Sequence, residues 1–187
     1  MKHLTTCLAL SATTFMATSA YAGDWTAELS AIKNSCDYYE VVNLDTLAKK
    51  YHASVISNKK SVDRKNSNAY GNNHIQTLVL KDVVAFGSPL SKIVWEETDG
   101  GEVGNFNRLT LHFTNTNFMN NRSSFYIKVG KQTYNVGKGR KFSRQADDSQ
   151  QSLTINDTGY EFEEDGRVFS LNFDKKNKTL NCGMYSY

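Results

Sequence analysis

The sequence predicts an α+β protein: an N-terminal helical segment packed on a mainly antiparallel sheet that ends in a β-meander. Three observations carry this. Apolar residues near the start recur at helical spacing, at Trp25, Leu29, Ile32 and Cys36. From Ile75 onward they alternate at strand spacing between turn residues. Cys36 lies on the apolar stripe of the first pattern, and Cys182 on the apolar face of the last.

The first 22 residues read as a secretory signal peptide, and 23–187 as a single exported α+β domain. Lys2 opens a basic start, Leu4 to Met16 forms an uncharged and largely apolar run, and Ala20-Tyr21-Ala22 supplies an A-x-A cleavage site. The apolar run is too short and too rich in Thr and Ser for a membrane anchor. Cys7 lies too early for a lipoprotein site. Cleavage after Ala22 leaves 165 residues, enough for one ordinary core. The formal charge of +3 becomes +2 when Lys2 departs, too small a balance to argue for nucleic acid. No later run suits stable membrane insertion.

Of the three cysteines, Cys7 leaves with the signal peptide. Cys36 and Cys182 remain, in an export setting where disulfides persist, so they are expected to pair. No C-x-x-C or paired His spacing accompanies them, so neither a metal nor a cofactor is expected.

Each element follows from its pattern. Asp24 is placed to cap a helix from Trp25. A shorter helix is expected after Asn43, with Leu44, Leu47, Ala48 and Tyr51 on one side. Ser57 to Asn73 is polar, without a period, and reads as a surface loop. Ile75 to Phe86 holds two apolar runs separated by Lys81-Asp82. Gly87-Ser88-Pro89 reads as a break between strands, and Ser91 to Glu97 follows as a strand. Leu109, Leu111 and Phe113 alternate with Thr110 and His112. A turn at Gly130-Lys131 pairs Ile127 with Tyr134 and Phe125 with Val136.

The last third is the meander. A turn at Asn156–Gly159 separates two short strands. Asp165-Gly166 is a type I′ hairpin signal that sets Phe162 opposite Phe169 and Tyr160 opposite Leu171. A turn centred on Lys176-Asn177 sets Phe173 opposite Leu180 and Leu171 opposite Cys182. A one-residue slip would expose the whole apolar set, which fixes the register.

No chemical motif stands out. The sequence has no G-x-S-x-G and no H-E-x-x-H. His112 lies mid-strand opposite the apolar face; His52 and His74 lie at element ends. Glu161 and Glu163 alternate with Tyr160 and Phe162 and read as the wet face of a strand. The densest local feature is Gly137–Arg144, where Lys138, Arg140, Lys141 and Arg144 surround Phe142. Such a segment can grip an anion.

These readings favour a small exported non-enzymatic binding protein of the bacterial cell envelope, periplasmic or secreted, such as an inhibitor or toxin-immunity protein. Its partner is expected to be another envelope or secreted protein. The expected binding residues are Arg140, Lys141, Arg144 and His112. The alternative is a small exported hydrolase acting on peptidoglycan or another envelope polymer, which needs a cleft where His112 or His74 meets a carboxylate or hydroxyl.

Overall fold

The computed structural model describes residues 23–34, 36, 42–63, 72–98, 104–146 and 149–186, with 142–146 and 149–150 described by their backbone alone. The signal-peptide reading of residues 1–22 lies outside these residues.

The described chain is mainly β. Its strands are β1 (Gly23–Asp24), β2 (Val55–Asp63), β3 (Asn73–Ala85), β4 (Ser88–Thr98), β5 (Phe106–Phe113), β6 (Tyr126–Val129), β7 (Gln132–Asn135), β8 (Arg140–Ala146), β9 (Ser149–Asn156), β10 (Gly159–Glu164), β11 (Arg167–Asp174) and β12 (Thr179–Ser186). One helix, α1, spans Leu44–Lys50. Ten strands form one sheet in the order β1-β3-β4-β5-β12-β11-β10-β9-β8, with β2 also beside β3; β6 and β7 form a separate hairpin. Among the described residues only β1 pairs in parallel.

The α+β expectation is therefore corrected: a ten-stranded sheet dominates, and the helices are short. The expected first helix does not form. Gly23 and Asp24 add a strand to β3, and the Trp25 amide still donates to the Val84 carbonyl at 2.8 Å. Extended backbone thus runs to the point where the helix was to start. Asp24 caps only a local turn, accepting from the Thr26 amide. The chain then turns and makes one 3-10 segment, Ser30–Lys33. An isolated helix of this length is marginal in water, so tertiary contacts decide. Trp25, Leu29, Ile32 and Cys36 are nonetheless all buried, as the stripe required.

The second expected helix is present. Asn43 caps it through its side chain, which accepts from the Thr46 amide at 2.9 Å. The loop expected from Ser57 is also corrected, since Val55–Asp63 is strand β2. Its residues are mostly exposed on both faces, so no alternating pattern marks it; backbone pairing to β3 holds it. Pro89, expected between strands, is the second residue of β4. The turn lies earlier, at Phe86-Gly87, both at positive φ.

The meander follows its expected register. Phe162 pairs with Phe169, Tyr160 with Leu171, Leu171 with Cys182 and Phe173 with Leu180. β12 then inserts beside β5, so one row runs Leu78, Ile93, Leu111, Leu180, Phe173 across five strands. All five are buried. Phe118 and Phe125 pack against Phe173, Phe125 edge-on at 4.9 Å, while Phe113 stacks on Phe118 and Phe86 meets Phe125. The β6–β7 hairpin closes over this cluster with Ile127 and Val129. Cys36 and Cys182 form the expected disulfide, their Cα atoms 5.3 Å apart. That bond fits an oxidising, extracytoplasmic compartment. Among the described residues no helix is long and apolar enough to cross a membrane.

Candidate functional site

The basic segment becomes the rim of a cleft. Two bonds fix it: the Val136 amide donates to the Phe125 carbonyl at 2.9 Å, and the Gly137 amide to the Asn156 carbonyl at 3.0 Å. Gly137 and Gly139, both at positive φ, let the chain reverse from β7 into β8. The resulting cleft, about 330 Å³, lies between β7 and the β8–β9 edge. Lys138 and Arg140 supply two cations, Tyr134 an aromatic wall, and buried Ile155 the floor. The Arg140 guanidinium lies 5.9 Å from the Tyr134 ring centre, a cation–π distance. The Tyr134 hydroxyl donates to the Gln132 side-chain oxygen. No carboxylate is among the described residues of this cleft. The arrangement can take a carboxylate or another compact anion.

The other expected residues do not converge on it. Lys141 is exposed and follows Arg140 in an edge strand, so it points to the other face. Arg144 pairs in register with Gln151; its side chain is outside the described set. His112 is five strands away, on the sheet face opposite the core. Its register neighbours are Lys92 and Thr179, and no carboxylate stands directly opposite. Partial burial, and then the Lys92 charge, hold its imidazole below the usual range. His112 is therefore a poor fit to an acid–base pair.

Sequence reasoning missed a second cleft. It is built on two successive rows across β2, β3 and β4: Lys60–Gln76–Trp95 and Val62–His74–Glu97. These six residues, with Ser61 and Ile75, line a space of about 470 Å³. Trp95 is half-buried and Val62 is 45 % exposed. A polar network holds the first row. The Gln76 Nε2 donates to Asp45 Oδ1 and to Asn58 Oδ1, both at 2.9 Å, and Lys60 pairs with Asp45. The Lys60 hydrogen bond, helped by Asn58, holds the Asp45 carboxyl below its ordinary range. No spacing in the sequence joins Lys60, His74 and Trp95; only strand register does.

Neither cleft contains a cluster fit for a metal, and none exists among the described residues. Comparison with family profiles, with curated proteins and with solved structures returned no match. Geometry alone carries the functional reading.

Proposed function

We propose that this chain is an exported, non-enzymatic binding protein of the bacterial cell envelope, periplasmic or secreted, in the manner of an inhibitor or toxin-immunity protein. The observation that carries the reading is the cleft of Lys138, Arg140 and Tyr134, in which two cations meet an aromatic wall and no described carboxylate. An Asp or Glu side chain of a partner protein fits it. Hydrogen bonds between hairpins preorganise the site, which lowers the ordering cost of binding. The Cys36–Cys182 disulfide supports export.

The test pairs wild type with the double variant Lys138→Glu/Arg140→Glu. Partners from envelope extract are cross-linked and identified by mass spectrometry, then measured in purified form. Charge reversal is expected to slow association and to weaken its salt dependence, because peripheral charges act mainly on encounter. An unchanged association rate removes the cleft from the interface. Hydrolysis of peptidoglycan by wild type, lost in His74→Ala, overturns the binding reading in favour of an enzyme.

A further inference from the structure

We propose that the second cleft, under Trp95, is a separate binding site for a neutral saccharide. Trp95 presents a large half-buried indole, with the exposed Val62 on the same sheet face. Around this apolar patch stand groups of both hydrogen-bonding kinds. Glu97 accepts, Lys60 donates, and a neutral His74 does both. A sugar ring matches that combination, with an apolar C–H face for the indole and a rim of hydroxyls for the polar groups. At about 470 Å³ the space lies in the range of small-molecule sites.

Charge argues against an anionic ligand. Lys60 is already paired with Asp45, and Glu97 stands in the same cleft. The site therefore offers an anion no cation comparable to Lys138 and Arg140 in the first cleft. The His74–Glu97 row is also more polar than packing requires. Its next member, Asn107, is fully buried, and neither its Oδ1 nor its Nδ2 has a hydrogen-bond partner. Such a group weakens a fold, so its row invites a role beyond stability.

The chain itself carries the probe. Its only tryptophans are Trp25 and Trp95, and Trp25 is fully buried. Acrylamide quenching of the mature, oxidised protein therefore reports Trp95. N,N′-diacetylchitobiose or cellobiose at millimolar concentration is expected to shield Trp95 from acrylamide. Glu97→Gln should weaken that binding roughly tenfold or more, as loss of a charged hydrogen bond does. Trp95→Phe, followed by calorimetry, should weaken it as well. Near-ultraviolet circular dichroism and an intact disulfide confirm that each variant is folded. Lys138→Glu/Arg140→Glu should leave saccharide binding unchanged, which separates this site from the first cleft. Protection by dodecanoate but by neither disaccharide overturns the proposal in favour of an acyl ligand. Absence of protection by any of the three overturns it outright, as does full binding by both Glu97→Gln and Trp95→Phe.

Discussion

The hydroxyl of Tyr160 accepts a hydrogen bond from the backbone amide of Cys36 at 3.0 Å, across 124 residues of sequence. Both residues are buried, Cys36 completely. Burial drives the Tyr160 hydroxyl far above its ordinary pKa, so it stays a neutral phenol. Tyr160→Phe keeps the ring but leaves the amide unsatisfied. It should cost about 1–3 kcal/mol, the penalty for an orphaned buried donor. Urea melts of the oxidised protein measure this. A variant as stable as wild type removes the bond from the stability account.

Reduction of the Cys36–Cys182 disulfide releases a closed loop with a sequence separation of 146. In the chain-entropy model a loop so long is worth about 5 kcal/mol, with native strain able to lower the yield. Denaturant midpoints with and without reductant give the value. Mass spectrometry of the native protein should find one cross-linked peptide pair. Two alkylatable thiols at these positions would contradict the assignment.

Face assignment in the meander is equally exposed to measurement. Phe162 and Leu171 are buried, whereas Glu161 and Glu163 are exposed. Phe162→Ala and Leu171→Ala should each cost roughly 2–5 kcal/mol. Glu161→Ala and Glu163→Ala should stay within about 0.5 kcal/mol of wild type. A reversed ranking would invert the sheet.

His112 gives the pH dependence. Its folded pKa lies below the unfolded value because burial and Lys92 disfavour the imidazolium. The unfolded chain therefore binds more protons in the window beneath about pH 6.5. Its contribution is full above that pH and is lost as pH falls through the folded pKa. His112→Gln should flatten the decline in stability between neutral and mildly acid pH. A nuclear magnetic resonance titration of His112 with a midpoint above 6.5 would refute the sign.

Residues whose partners are set by local turns were legible. Asp165-Gly166, with both residues at positive φ, fixes Phe162 on Phe169 without help from the rest of the chain. Elsewhere, long-range pairing overrode local pattern. Trp25–Cys36 had helical spacing, but its start was taken by a strand beside β3. Strand β2 carried no signal, since an edge with both faces wet needs no alternation. The first cleft was half legible: Arg140 and the unassigned Lys138 belong to it, while His112 lies elsewhere. The second cleft was illegible. His74 meets Glu97 only because the β3–β4 register shifts between Val79 and Val83, where Asp82 adopts a positive φ. A run reading Lys81-Asp82 marks a break, but not how far it moves the partners.

The position of β12 has a consequence for the order of assembly. This strand follows every other described strand yet occupies an interior place in the sheet, hydrogen-bonded to β5 on one side and β11 on the other. A chain that emerges from its N-terminus can zip β2 to β5 as one hairpin series, and β8 to β11 as another. It cannot join the two halves until Thr179–Ser186 has appeared. The disulfide waits for the same eight residues, because Cys182 sits within them. Pairing over such distances is slow to nucleate. Nascent molecules thus keep the two halves apart until Thr179–Ser186 is out, a state that a narrow conduit can thread.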